Sequence, residues 1–470
     1  MDARGGESMN PVQERELFEE KSVLSAVFRL AFPTVVGQII LVLYNMADTF
    51  FVGMTGNDAM LAAVTVCMPA FMVLSAISNL FGVGAASVIA RAMGARDVER
   101  VKNTSAFAFW GCLSVTALYS LIAYLFRDVF MDLLGGTDPK VHQNAVAYLT
   151  CTVVFGGVLT SVSVLFSHLI RAEGRAVHAS AGIAVGGVLN IALDPLFMFV
   201  LLPPGREALG AAIATTVSNA LSLLYFSLVL MRIRKRSLLR FGLSMEMFRQ
   251  RIPAAVFSAG LPACVMTLFE NVSYAVLDKL MSLAGLSMQA GIGVAKKVNM
   301  LAHCMVRGIS QGALPLIAYN YASKNTERMR ASLRVSHAAS VCVAAVCMGL
   351  NLALAPQMIG LFIRTDSDSL RYGTEFLRIL CIGGPFSASA YTIISFFQAT
   401  GHGKKSFLLA ILRKGIVDIP LMLLLNRVLP VYGIVLATPL ADALCCAAAN
   451  AMLIAFLKQT RHPVIMMAEC

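Results

Sequence analysis

Long apolar runs separated by short polar joints dominate this chain. A helix rises about 1.5 Å per residue, so a run of about 20 residues crosses a hydrocarbon layer roughly 30 Å thick. Twelve runs meet that length and predict helices over 25–53, 58–91, 104–126, 144–170, 177–202, 207–231, 253–281, 286–319, 331–363, 372–399, 406–428 and 431–457. Gly or Pro marks most joins, as in GGTDP at 135–139 and LPPG at 202–205. Spans and short loops use up the 470 residues, which leaves no length for a separate soluble domain. The pattern predicts an all-α membrane protein.

Charge fixes the orientation. One face of the layer, shared by both termini, collects 27 Lys and Arg, in groups that include 91–102, 232–251, 324–334 and 404–414. The other face has eight: Arg127, Lys140, Arg206, Lys279, Arg364, Arg371, Arg378 and Arg427. Basic loops stay in the cytoplasm, so both termini are expected there and the number of spans is even. A membrane bilayer is the expected setting, with the first segment uncleaved. The net charge of +12 then reflects topology and calls for no nucleic acid.

Composition agrees: 58% of residues are hydrophobic and 14% charged. The 11 Cys lie singly or as the adjacent Cys445–Cys446, without metal-ligand spacing, so no metal or disulfide framework is expected. No HExxH or P-loop occurs, and enzymatic chemistry is not expected.

The halves repeat. GARDVERVK (94–102) aligns with ASKNTERMR (322–330), GAAIATTVSNAL (210–221) with GIVLATPLADAL (433–444), and Pro33 with Pro262. Six spans separate the copies, so the repeat is parallel and predicts two pseudo-symmetric six-helix bundles facing a central cleft. The expected organisation is a cytoplasmic tail (1–24), a first bundle (25–231), a basic linker (232–252), a second bundle (253–457) and a second tail (458–470). Such a body describes a transporter.

Polar residues inside the spans carry the candidate chemistry. An Asp near the centre of a span costs about 2.5–3.5 kcal/mol to insert, so Asp48 must face protein or water. Thr34, Gln38, Asn45 and Asp48 share one arc of the first helix, suited to lining a cavity. In the fifth helix Asn190 and Asp194 stand four apart, hence on one face, and Pro195 follows. If the first, fifth and sixth helices meet, Asp48 and Asp194 confront each other beside Tyr44, Asn190 and Thr215. Two carboxylates in a low-dielectric pocket cannot both stay charged cheaply, which makes a site for H⁺ or, through oxygen ligands alone, Na⁺. No other cofactor is expected.

The second bundle is more basic. Glu270, Tyr274 and Asp278 follow one another along the seventh helix. Lys296, Asn299, His303, Arg307 and Ser310 share an arc of the eighth, with Lys297 off it. Glu270 paired with Lys296 or Arg307 is the expectation; the alternative is a stripe that binds an anionic or zwitterionic substrate group. Asp418 and Asp442 are further partner or cavity candidates.

LAFP…YNMADTFFVG, GAASVIARAMGARD, LNIALDPLF and GAAIAT resemble the multidrug and toxic compound extrusion (MATE) transporters over about residues 25–457, and SQGALPLIAYNYASKN looks most like the MepA/DinF-like branch. The resemblance implies twelve helices in two lobes around a V-shaped cavity, and efflux of drug-like compounds by antiport with H⁺ or Na⁺. It implies a cation site at Asp48, Tyr44, Asn190, Asp194 and Thr215, and a bend of the first helix at Pro33. Glu270 matches a glutamate of NorM-like members, but Ser389 stands about where their partner aspartate should be. The chain is expected to act as a monomer on small molecules. The runner-up is a flippase of the related superfamily for lipid-linked oligosaccharide precursors, disfavoured by the acidic first bundle.

Overall fold

A computed structural model describes residues 16–134, 138–363 and 366–459, and every regular element among them is helical. The long helices are α1 (Val23–Met54), α2 (Asp58–Gly94), α3 (Val98–Leu125), α4 (Pro139–Ala172), α5 (Ala176–Leu201) and α6 (Glu207–Ile233). The second half supplies α7 (Ile252–Ala284), α8 (Leu286–Ala322), α9 (Thr326–Gly360), α10 (Ser367–Ile382 with Gly384–Ala399), α11 (Gly403–Ile411, Leu412–Val417 and Asp418–Val428 end to end) and α12 (Tyr432–Gln459). The turn GGTDP falls partly outside the described residues, at 135–137.

Nine of these helices are long and apolar enough to cross a membrane as single rods, and α10, bent by 43°, makes a tenth. α8 and α11 carry the charges that lower their hydropathy: Lys296, Lys297 and Arg307 on one, Arg413, Lys414 and Asp418 on the other. Several helices start earlier than their apolar runs. Asp97 accepts from Arg100 N at 3.0 Å to start α3, and Asn325 accepts from Arg328 N at 3.0 Å to start α9. These caps occupy matching places in the repeat, and the residues before them, Arg96 and Lys324, share a left-handed φ of 61° and 62°. The duplication therefore extends to the backbone.

Within the first lobe α1 packs on α5, α2 on α4, and α5 on α6; within the second α8 packs on α9 and α10, and α12 on α10 and α11. The lobes meet along α2–α7 and α1–α8. The seam is tight because glycine lets backbones touch. A Cβ at Gly260 of α7 would fall 1.8 Å from Leu80 O of α2, and one at Gly308 of α8 would fall 2.6 Å from Val35 Cα of α1. These contacts lie in the halves of the helices nearer the termini. Asn79 Nδ2 donates to Thr267 Oγ1 at 2.9 Å, and beyond that level no hydrogen bond joins the lobes among the described residues. Further out, Gly53 of α1 and Gly293 of α8 face open space. The seam is therefore tight on the side of the termini and looser on the other.

Parts of the segments read as a tail and a linker are packed. Glu16–Glu20, assigned to the amino-terminal tail, forms one wide helical turn with Leu17 and Phe18 buried. The basic linker is pinned to the first lobe. Glu173 accepts from Ser237 Oγ at 2.8 Å and from Leu238 N at 2.8 Å, and Trp110 Nε1 donates to Phe241 O at 3.0 Å. Glu173 lies in the turn after α4, where burial pushes its carboxyl above the usual range against these hydrogen bonds and Arg175.

Candidate functional site

The first lobe gathers its acids as the spacing predicts. Gly187 of α5 carries no side chain, so Ile40 and Tyr44 of α1 come within 2.7 and 3.4 Å of where its Cβ would be. That approach sets Tyr44 and Asp48 against Asn190 and Asp194. Asp48 is 6% exposed and Asp194 0%. Asn190 Nδ2 donates to Asp194 Oδ1 and to Thr215 Oγ1, each at 3.3 Å. Asp48 and Asp194 lie within electrostatic reach of each other and of Tyr44. Three buried oxygens here, Asp48 Oδ1, Asp194 Oδ2 and Asn190 Oδ1, have no hydrogen-bond partner within the protein. Orphaned buried acceptors are costly, and three together form a donor set for a proton or a small cation.

Two contributors escaped the sequence. Tyr148 of α4 is buried within reach of Asp48, Tyr44 and Asp194. It precedes a wide π turn, Thr150–Phe155, just as Asp194 and Pro195 precede another, Leu196–Leu201. Such turns break helical phase and recur at functional sites, but nothing in residue spacing announces them. The second contributor is Lys297, set aside as off the stripe. Three turns before Gly308, it lies on the side of α8 that faces α1, within electrostatic reach of Asp48 across the cleft.

The remaining residues of the α1 stripe are placed as follows. Gln38 is buried, and Asn45 is half-buried with its amide donating to Leu41 O at 2.7 Å. α1 runs unbroken through Pro33.

The second lobe pairs its charges. Arg307 Nη2 donates to Glu270 at 2.8 Å, the expected partner. Lys296 pairs with Asp278 instead of Glu270. His303 sits between Asn299 (3.2 Å) and Ser387 (3.3 Å). Tyr274 takes Lys296 on its ring at 5.3 Å and Lys414 at 5.6 Å. Arg413 and Lys414, counted by sequence among the cytoplasmic basic residues, are instead buried in the lobe. The π turn Leu412–Val417 turns them inward, to Asp442 at 2.7 Å and Asp418 at 3.0 Å. The i,i+4 spacing of Lys414 and Asp418 was the available clue. Ser389 is held by His337 (2.9 Å) and Asn450 (3.0 Å).

The MatE family model matches residues 33–196 and 262–424, so each stretch begins at one of the paired prolines. Multidrug export protein MepA of Staphylococcus saprophyticus is 28% identical over 447 residues, covering 95% of this chain and 96% of that protein. MepA of Staphylococcus aureus (strain MRSA252) is 26% identical over 449 residues, with the same coverage. Among solved structures, an outward-facing multidrug resistance MATE family transporter of the MOP superfamily superposes with a TM-score of 0.88 at 22% identity, covering 96% of this chain and 100% of its own. A MATE complex with MaL6 gives 0.87 at 22% identity, over 95% and 99%.

Proposed function

This chain belongs to the MatE family, and we propose that it exports drug-like organic compounds from a bacterial cell in exchange for H⁺ or Na⁺. The observation that carries the coupling is the set of three unsatisfied buried oxygens around Asp48 and Asp194. A cation entering from the open side neutralises the pair and lets α1 repack against α5 and α8. Pro33 leaves α1 one backbone hydrogen bond short, a ready place for that motion. Substrate is then displaced toward the open cleft. One charge moving through 100 mV supplies about 2.3 kcal/mol, enough for a roughly 50-fold gradient.

The distribution of Lys and Arg favours cytoplasmic termini. The tight side of the seam then lies inside and the looser side outward, the geometry in which a drug leaves and a cation enters. A flippase for anionic lipid-linked sugars would need a cationic cleft. Here Lys296, Arg307, Arg413 and Lys414 each face a carboxylate, which leaves drug antiport the better reading. The test is reconstitution in liposomes with ethidium efflux followed by fluorescence. Efflux is expected when an inward H⁺ or Na⁺ gradient is imposed; efflux that neither gradient drives overturns the reading.

A further inference from the structure

Away from the cleft, at the end that carries both termini, a separate concavity of about 970 Å³ opens between the start of α1, the start of α9 and the end of α12. Arg328, Arg330, Arg334 and Lys458 line it, opposed by Glu19 and Glu327. Its wall continues over Ile454 and Leu457 of α12, and Ile454 is 54% exposed on the apolar surface of that span. Part of this charge is already engaged. Glu19 accepts from Tyr319 Oη at 2.7 Å, and Arg328 donates to the carbonyls of Phe18 at 2.6 Å and Leu17 at 3.2 Å. Arg330 donates to Leu457 O at 3.3 Å. Arg334 and Lys458 are exposed and form no ion pair among the described residues.

We propose that this concavity holds the phosphate of an anionic phospholipid, with an acyl chain laid along Ile454 and Leu457. Three features converge. The cations come from two helices far apart in sequence, with Arg330 and Arg334 one turn apart on α9, so the positive field is focused into a recess rather than spread over a loop. The recess lies where apolar spans end, at headgroup level, and basic recesses between spans suit anionic headgroups. Its volume belongs to the range of sites for drug-sized ligands, far beyond what a free phosphate fills.

The experiment is native mass spectrometry of the full chain after exchange into nanodiscs holding equal phosphatidylglycerol and phosphatidylcholine. The intact protein is expected to retain phosphatidylglycerol over phosphatidylcholine at least fivefold. Arg334→Ala/Lys458→Ala is expected to lose that preference with unchanged thermal melting, while Arg232→Ala/Lys235→Ala, exposed cations elsewhere on the same face, keeps it. Millimolar inorganic phosphate is expected not to displace the lipid. Equal retention of the two lipids, the same loss in the control variant, or displacement by phosphate overturns the proposal.

Discussion

The ring of Phe18 lies on that of Tyr319, centroids 4.9 Å apart and 13° from parallel. The contact ties the chain before α1 to α8, while the other edge of Phe18 fills the space at Gly174 in the first lobe, 3.0 Å from where a Cβ would be. Phe18 thus sits in the closed seam between the lobes, in a core shared by Leu30, Ala176 and Leu316. Any state open toward the termini must give up this burial.

Removing a buried Phe ring costs about 3–5 kcal/mol. Phe18→Ala therefore destabilises the closed seam selectively and shifts the population toward opening on that side. Spin labels at Lys235 and Thr326, in a cysteine-depleted background, report it as a longer distance component. An unchanged distribution contradicts the role.

Charge pairs in the second lobe differ in cost because they differ in burial. Arg413 and Asp442 are 1% and 2% exposed, whereas Asp278 is 46% exposed beside Lys296. Asp442→Ala strands a guanidinium in the lobe and costs about 3–5 kcal/mol. Asp278→Ala costs about 0–1 kcal/mol. Thermal denaturation in detergent should show a large fall for the first and almost none for the second.

Lys297 places a positive charge near the Asp48 carboxylate from the opposite lobe. It opposes any cation that binds there, so Lys297→Ala should lower the ion concentration for half-maximal transport several-fold. Transport measured across a series of pH or sodium concentrations checks the direction; a shift to higher concentration contradicts it.

Much of this was legible in the chain. Hydropathy, the Lys and Arg asymmetry and the repeat gave the two lobes, and i,i+4 spacing placed Asn190 beside Asp194. What escaped depended on broken helical phase or on contacts distant in sequence. The π turns re-aim Arg413 and Lys414 into the lobe, where a regular period and a charge count had put them with the loops. Tyr148 joins the acids only because α4 packs beside them, and Phe18 is buried by a turn of α8 some 300 residues away. Short polar stretches such as 16–20 read as tails because their partners are not local.

The central claim is that the paired acids of the first lobe carry the coupling ion, and Asp48→Asn in liposomes tests it most directly. The account predicts that the variant folds and binds substrate, since an amide keeps the size and one acceptor oxygen without the charge, but loses gradient-driven ethidium efflux. Asp194→Asn is expected to behave alike. Efflux at the rate of the unaltered protein from Asp48→Asn, under the same gradient, would contradict the account.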